Sequence, residues 1–394
     1  MVGSTRDVVI IGAGVIGTAI AYLLSQERLT VAVLDPQPPG SGCTFHGTGL
    51  VWKMIWNDTT QYKLAMEGRD LLFAHAPQIH AISGIDPMLH VFDTILPIFD
   101  EADLLRLERD LTTGDGDIAV EWLDHDDVLH LEPRINPAVQ RGALLRDSAQ
   151  INGYSLSLAQ AKAAALQGVE FLALKATGVE THGGHVTAVH HSAGTIPCGA
   201  VVVAMGAHAQ LASTWLDFPV PIKPLKGETI RVRHPDPFPY QVYRLAGGGV
   251  SPHKEGLLSV GSTGTNRFSD MPGDLVKVVD DREATAEGRE YILRNAYYVI
   301  PDLQRAEVVY HLAGSRPLSA DGLPIIGPVP HLEGAYIATG HRNKGIHLST
   351  VTAALIRDFV ITGASGLRTP VEKFLPGRFA GQQHVEFSVE GVTV

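Results

Sequence analysis

Cysteine is scarce in this sequence. Cys43 and Cys198 are the two cysteines among 394 residues. Two residues so far apart provide neither a disulfide framework nor the closely spaced ligands of a zinc site. We therefore expect a protein without a metal centre, and a reducing cytoplasm as its location.

Positive charge is also in short supply. Lysine and arginine total 31 against 42 acidic residues, which gives a net charge of −11. An acidic chain is repelled by nucleic acids and by anionic membranes, so neither is expected as a partner. A local basic pocket for an acidic small molecule is compatible with this balance. The apolar fraction of 45% in a chain of this length predicts a soluble globular protein with two domains.

A long membrane-spanning run is missing as well. The apolar stretch at residues 8–24 is shorter than the ~20 residues that cross a bilayer, and it contains Gly12, Gly14 and Gly17. A signal peptide or an anchor leaves these glycines unexplained, whereas a nucleotide-binding turn requires them. We therefore expect no membrane span.

Glycine is abundant at the start of the chain, in a pattern that predicts dinucleotide binding. The strand at residues 7–11 leads into Gly12, Gly14 and Gly17, then a helix over 15–25, and a strand over 30–34 that ends at Asp35. The three glycines permit a sharp turn, close approach of a pyrophosphate and tight helix packing, and Asp35 can accept the ribose hydroxyls. The helix N-terminus favours the negative phosphates. We therefore predict an oxidoreductase.

Further nucleotide-domain elements are dispersed along the chain. A glycine-rich loop follows at residues 36–50, a buried strand at 200–206 and another at 334–340, from which residues 341–345 lead into a helix over 346–361. Nicotinamide enzymes usually complete this domain in one run. The wide separation therefore favours a large, permanently held flavin.

These patterns predict an α/β fold. We expect a Rossmann-like FAD-binding domain of the glutathione-reductase type, interleaved with an α+β substrate domain built on an antiparallel sheet. The predicted FAD-binding domain comprises residues 1–76, 143–218 and 306–394. The predicted substrate domain comprises residues 77–142 and 219–305.

Several motifs, in order and spacing, resemble the D-amino acid oxidase superfamily of FAD enzymes, in its branch of glycine oxidase and sarcosine or dimethylglycine dehydrogenases. They are GAGVIG with Asp35, SGCTFHGTGLVW, VVVAMGAHA, AGSRPLSADGLPIIGP and YIATGHRNKGIHLS. The resemblance covers nearly the whole chain and implies one FAD per chain. The cofactor contacts that the motifs predict are Gly12, Gly14, Val15, Ile16, Gly17, Asp35, Cys43, Thr44, His46, Gly47, Thr48, Gly49, Leu50, Ala204, Gly206, Gly340, Lys344, Gly345 and Ile346.

The resemblance also implies roles for single residues. Arg316 resembles the arginine that holds the substrate carboxylate, a task suited to the planar fork of a guanidinium. Lys226, or Lys223, is similar to a lysine that assists oxygen near the flavin, with a solvated loop lysine as the alternative. His46 resembles a histidine bonded to the flavin ring, and a non-covalent histidine beside the cofactor is the other interpretation.

Some segments depart from the family pattern. Asn343 stands where relatives carry a second arginine, with Arg342 and Lys344 beside it. Residues 247–249 are three glycines in place of bulky pocket residues, just after Tyr243 and Arg244. We expect this loss of bulk to widen the entrance, with Tyr243, Arg244, Arg342 and Asn343 as substrate contacts. A substrate bulkier than sarcosine, such as an N-substituted glycine, is the resulting prediction.

The resemblance implies hydride transfer from the carbon next to an amine to the flavin, hydrolysis of the imine, cleavage of the C–N bond and formation of hydrogen peroxide. The expected partners are a small amino acid substrate and oxygen or another electron acceptor. Two alternatives stay open, a 2-hydroxy acid dehydrogenase and a non-catalytic flavin subunit of a larger oxidase.

Overall fold

The computed structural model describes residues 5–54, 56, 58–112, 118–263, 277–382 and 385–387. Its strands have the following bounds: β1 Arg6–Ile11, β2 Val31–Leu34, β3 Leu50–Val51, β4 His90–Ile98, β5 Glu121–Leu123, β6 Arg141–Gln150, β7 Glu170–Leu172, β8 Ala176–His182, β9 His185–His191, β10 Gly194–Val203, β11 Ile222–Arg233, β12 Gln241–Tyr243, β13 Gly249–Pro252, β14 Leu258–Val260, β15 Glu307–Ser319, β16 Ile325–Pro328 and β17 Ala335–Thr339.

The helices are α1 Val15–Ser25, α2 Cys43–His46, α3 Thr59–Ser83, α4 Glu101–Leu111, α5 His125–Leu131, α6 Gly153–Leu166, α7 Ala212–Leu216, α8 Ala286–Val299 and α9 Gly345–Thr362. Short 3-10 helices follow at Gly206–Leu211, Pro301–Arg305, Glu372–Phe374 and Pro376–Phe379. Within the described part of the chain, no helix has the length and apolar character needed to cross a membrane.

The first sheet has the strand order β16-β17-β10-β1-β2-β7 and carries the nucleotide motif. The pairs that join β17, β10, β1, β2 and β7 are parallel, while β16 runs antiparallel to β17. Val8 and Ile10 pack into the same core cluster as α1, α3, α6 and α9, and Val9 and Ile11 pack into a cluster on the other face. Both faces are buried, as expected for a parallel sheet with a continuous apolar strand sequence.

The second sheet has the strand order β15-β11-β14-β13-β12-β4-β6-β3, with β5 on β6. Its pairs are antiparallel except for the parallel pair β12–β4. The long ladder between β11 and β15 extends from Ile222 opposite Ser319 to Arg233 opposite Glu307. Helix α8 packs on this sheet through Tyr291, Ile292 and Ala296. The predicted α/β fold, with a Rossmann-like domain and a largely antiparallel second sheet, is confirmed.

Four elements do not follow the predicted domain boundaries. Strands β3, β6 and β15 pair in the second sheet, although residues 50–51, 143–150 and 307–319 were assigned to the FAD-binding domain. Helix α3 continues through Pro77 and crosses the boundary set at residue 76. Local patterning identifies a strand, but its pairing partner is decided by contacts distant in sequence. Residues 264–276 and 388–394 of the predicted domains lie outside the described residues.

Candidate active site

The carboxyl ends of β1, β2, β10 and β17 meet at one edge of the first sheet, where the glycine motif begins. Gly12 has φ +110°, a conformation that glycine adopts readily. A Cβ at Gly12 would overlap the carbonyl oxygen of Ala204, and one at Gly17 would overlap the carbonyl oxygen of Gly12. The glycines therefore allow the turn, the neighbouring strand and helix α1 to approach one another closely.

Helix α1 and Asp35 are both fixed at this edge. The Val15 N–H donates to Thr44 Oγ1 at 3.1 Å. One Asp35 oxygen accepts the Ala13 N–H at 2.8 Å, and the other accepts the Gln37 N–H at 2.8 Å. A carboxylate has about four acceptor sites, so Asp35 keeps capacity for the hydroxyls of a ribose.

A cavity of about 590 Å³ extends from this edge across to the second sheet. Most of the predicted cofactor contacts line it, and these are Gly12, Gly14, Val15, Ile16, Asp35, Cys43, Thr44, His46, Gly47, Thr48, Leu50, Ala204, Gly206, Lys344, Gly345 and Ile346. Helix α9 begins at Gly345, so a second helix N-terminus, with its partial positive charge, reaches the same cavity.

Three predicted cofactor contacts lie behind the cavity wall. A Cβ at Gly49 would overlap the Ile151 carbonyl oxygen, and one at Gly340 would come within 3.1 Å of the Ser319 Cβ. Gly17 packs on the Gly12 turn, as described above. These glycines shape the wall without lining the cavity.

His46 lies on the cavity wall at the end of α2. Its Nδ1 is 3.0 Å from the Gly42 carbonyl oxygen. A carbonyl only accepts, so Nδ1 carries the hydrogen and Nε2 is left as the basic nitrogen. Burial lowers the pKa of His46, with further lowering by nearby Arg282 and Arg231, although the bond with Gly42 acts in the opposite direction. The ring is therefore neutral at neutral pH.

Arg316 lies at the other end of the cavity, on β15. Its guanidinium occupies the space above Gly227 on β11, where a Cβ would overlap it, and Nη1 donates to the Thr263 carbonyl oxygen at 2.8 Å. Burial lowers the pKa of Arg316, although nearby Cys43 raises it. Among the described residues, no carboxylate lies within 4 Å of this cation. A desolvated, always charged guanidinium without an acidic partner is suited to bind an anion.

Two predicted residues do not line the cavity. The Lys226 amino group is buried 2.5 Å from an Asp281 oxygen and 3.8 Å from Glu228. Side chains alternate along β11, so Lys226 points to the face opposite Gly227. Arg244 donates to Asp103 at 2.8 Å and lies 3.2 Å from Asp100. Both cations are engaged in ion pairs elsewhere, which argues against the predicted catalytic and substrate-binding roles.

The other predicted substrate contacts, Tyr243, Arg342 and Asn343, line the cavity. Two of the glycines at 247–249 have a steric role that the sequence did not indicate. A Cβ at Gly248 would overlap the Asn295 carbonyl oxygen, and one at Gly249 would overlap that of Val242. These two glycines allow a tight turn between β12 and β13 against α8. Gly249 also lines the cavity, so the wider entrance stays a prediction.

Trp52 and His347 also line the cavity, although the sequence did not predict either as a site residue. The Trp52 N–H donates to His347 Nδ1 at 3.2 Å, and Trp52 Nε1 donates to Gln241 Oε1 at 2.8 Å. His347 Nε2 donates to the Ala65 carbonyl oxygen at 2.9 Å, and burial lowers the pKa of His347 to about 4. The Trp52 ring meets Tyr243 edge to face at 4.6 Å. These residues are hundreds of positions apart, so no motif links them.

Two further arginines were also missed. Arg231 donates to the carbonyl oxygens of Phe45 and Gly47, at 3.2 and 3.3 Å, and so holds the loop that carries His46. It shares a face of β11 with Gly227, and the two-residue period of a strand would have indicated this. Arg282 lines the cavity on a segment without a recognisable pattern.

Comparison with known proteins identifies the family. The family model described as "FAD dependent oxidoreductase" (DAO) matches residues 7–359. The chain belongs to this family. It is 32% identical to the glycine oxidase of Geobacillus kaustophilus over 364 residues, which cover 90% of this chain and 92% of the relative. A glycine oxidase of Pseudomonas putida is 28% identical over 385 residues, covering 95% and 99%.

A solved structure agrees with this assignment. The crystal structure of glycine oxidase from Geobacillus kaustophilus superposes with a TM-score of 0.86, covering 96% of this chain and 100% of that chain at 28% identity. The cofactor is therefore FAD, as predicted. The glycine turn, Asp35 and the two helix N-termini on one cavity fit a dinucleotide of this kind.

Proposed function

We propose that this protein is an FAD-dependent amino acid oxidase, similar to glycine oxidase, that acts on an N-substituted glycine or a comparable amine bulkier than sarcosine. The observation that carries the proposal is Arg316, a half-buried cation without an acidic partner among the described residues, in the same cavity as the nucleotide motif. The similarity to glycine oxidases supports the reaction type. The cytoplasmic location expected from the cysteine content belongs to the same proposal.

The chain's own residues would bind and orient the substrate. Arg316 would hold the carboxylate through a bidentate pair, which fixes the neighbouring carbon and the amine. Bound FAD would supply the redox chemistry, namely acceptance of a hydride from that carbon and reoxidation by oxygen to hydrogen peroxide. The N-terminus of α9 at Gly345 would stabilise negative charge that develops beside it.

The wall between the two ends would exclude water and receive the rest of the substrate. Trp52, Met54 and Tyr243 present apolar surface to the cavity. Burial, together with smaller effects of nearby Asp110 and Tyr291, raises the pKa of Tyr243 to about 12. The phenol is therefore neutral over the working range of pH, and it would contribute packing rather than proton transfer.

His46 would contact the flavin. Its Nε2 is the nitrogen without a proton, and the resemblance to the dehydrogenases implies that a bond to the flavin ring forms through a histidine at this place. Denaturation in acid would separate the interpretations, because non-covalent FAD is released and covalent flavin stays with the peptide that contains His46. Mass spectrometry of that peptide measures the outcome directly.

The experiment that tests the function is an anaerobic titration of the purified holoprotein. Amines with N-alkyl and N-carboxymethyl substituents should bleach the visible flavin band, and readmission of oxygen should restore it with formation of hydrogen peroxide. Bleaching by 2-hydroxy acids but not by amines would assign a hydroxy acid dehydrogenase instead. A flavin band that no compound bleaches would support a non-catalytic subunit and overturn the proposal.

A further inference from the structure

A segment at residues 277–283 crosses the second sheet beside Arg316, and we name it the 277–283 strap. Asp280 fixes its middle, because one Asp280 oxygen accepts from Ser315 Oγ at 2.7 Å and the other lies 2.8 Å from His208 Nε2. Ser315 is the chain neighbour of Arg316, and His208 lies on the cavity wall just after β10. The strap is therefore tied to both sides of the cavity.

The neighbouring residues fix the strap a second time. The Lys226 backbone N–H donates to the Lys277 carbonyl oxygen at 2.8 Å, and the Lys226 amino group lies 2.5 Å from Asp281. The Glu283 N–H also bonds to Asp281, at 2.8 Å. Because Asp280 and Asp281 are both anchored, the position of the residue between Asp281 and Glu283 is strongly constrained.

That residue is Arg282. It is exposed, and it lines the same cavity as Arg316. Both guanidinium groups lie close enough to Cys43 to lower the pKa of its thiol, against the larger effect of burial. In the part of the chain that the structure describes, Arg282 has no carboxylate within 4 Å. Asp280 attracts it through space, but both Asp280 oxygens already accept other bonds.

We propose that the substrate carries a second acidic group, which Arg282 binds while Arg316 holds the first carboxylate. This inference rests on the proposed function and deepens it. A net charge of −11 repels a dianion at long range, so its recognition needs cations fixed at the site. Two arginines held at one cavity meet that need, and a planar guanidinium pairs well with a carboxylate. The substrate class is an amino acid with two acidic groups.

The test compares acids with their neutral amides of almost equal size. Iminodiacetate and N-(carbamoylmethyl)glycine differ in the acid on the nitrogen substituent, and aspartate and asparagine differ in the acid on the side chain. The holoenzyme should show a kcat/KM about tenfold higher for the acid of at least one pair, and that pair identifies the position of the second group. Added salt should reduce this preference, because charges at a rim are screened.

Arg282→Gln should remove the preference and its salt dependence while the amide is oxidised as before. Arg289→Gln is the matched control, because Arg289 is also exposed but does not line the cavity, and it should keep the preference. Arg342→Gln tests the remaining arginine of the wall. Loss of the preference in that variant with retention in Arg282→Gln would overturn the assignment to Arg282.

A binding measurement separates recognition from turnover. Thiodiacetate and (methylthio)acetate lack the amine and should perturb the flavin spectrum without bleaching it. We expect the dissociation constant of thiodiacetate to rise about tenfold in Arg282→Gln, with that of (methylthio)acetate unchanged. Equal oxidation of acids and amides by the wild type would overturn the inference and leave the proposed function intact, whereas failure of every amine to bleach the flavin would overturn both.

Discussion

The two ends of the cavity are lined by different chemical groups. At the nucleotide end, backbone groups, glycines and helix N-termini form the wall, and Gly12 and Gly17 allow close approach of the chain to itself. At the opposite end, the charged side chains of Arg282 and Arg316 contribute to the wall, and Gly227 creates space for Arg316. A dinucleotide phosphate is held by many backbone dipoles, whereas a small anion is selected by a few charges. Replacement of a glycine by alanine should therefore affect stability and FAD binding at the nucleotide end, and substrate binding at the opposite end.

The largest effect is expected for Gly12→Ala. The added methyl would overlap the Ala204 carbonyl oxygen, which belongs to the backbone and cannot rotate away. We expect a loss of about 3 kcal/mol in the free energy of unfolding, together with loss of bound FAD. Gly168→Ala is the control, because Gly168 has a similar φ of +96° but no atom within 4 Å of the added group. Chemical denaturation and the flavin absorbance per chain measure both quantities, and equal behaviour of the two variants would contradict the steric argument.

Arg316→Lys should have the next largest effect, on activity alone. Lysine retains the charge but not the planar fork, so kcat/KM for a carboxylate-bearing amine should fall roughly 100-fold, equivalent to about 3 kcal/mol. FAD content should be unchanged, because the nucleotide end is built from other residues. Arg244→Lys serves for comparison, since Arg244 pairs with Asp100 and Asp103 outside the cavity. A similar loss in both variants would contradict the placement of the two arginines.

Gly227→Ala sharpens the comparison with Gly12. Its methyl would displace the Arg316 guanidinium, which is the mobile end of a side chain, so stability should change little. A misplaced guanidinium should raise KM for the carboxylate about tenfold or more. Gly314→Ala, on the opposite strand, would press on the His46 side chain at 3.1 Å and should alter the flavin spectrum instead. If both variants changed KM and the flavin spectrum equally, the separate roles of Gly227 beside Arg316 and of Gly314 beside His46 would be disproved.

The smallest effect at neutral pH concerns the core behind the nucleotide end. Burial lowers the pKa of His75 to about 4, so between pH ~6.5 and ~4 the unfolded chain binds a proton that the folded chain does not. The free energy of unfolding therefore falls as the pH falls through this window, by about 1.4 kcal/mol per pH unit for one histidine.

His75→Phe should remove this contribution, because Phe preserves the edge-to-face contact with Tyr22 at 4.9 Å. His80→Gln, at an exposed position of the same helix, should leave the slope unchanged. Denaturant unfolding at a series of pH values measures the slopes. If the free energy of unfolding depended on pH in the same way for wild type and His75→Phe, His75 would have the same pKa in the folded and unfolded states.

Local patterns were sufficient for the nucleotide end. The glycine spacing, the acid after the second strand and the buried strands at 200–206 and 334–340 determine a turn, two helix N-termini and a parallel sheet, because each feature acts within a few residues of chain. The sequence also marked Arg316 through a motif. For these reasons the fold class and the FAD cofactor could be predicted before the structure was known.

The tertiary structure alone decided which side chains meet at the other end. Lys226 and Arg244 are cations near the right positions in sequence, yet strand alternation and ion pairs with Asp281 and Asp103 direct them away from the cavity. Arg282 reaches the cavity because two aspartates anchor its strap to distant strands. Such contacts depend on residues far apart along the chain, so neither periodicity nor local spacing can encode them in a readable pattern.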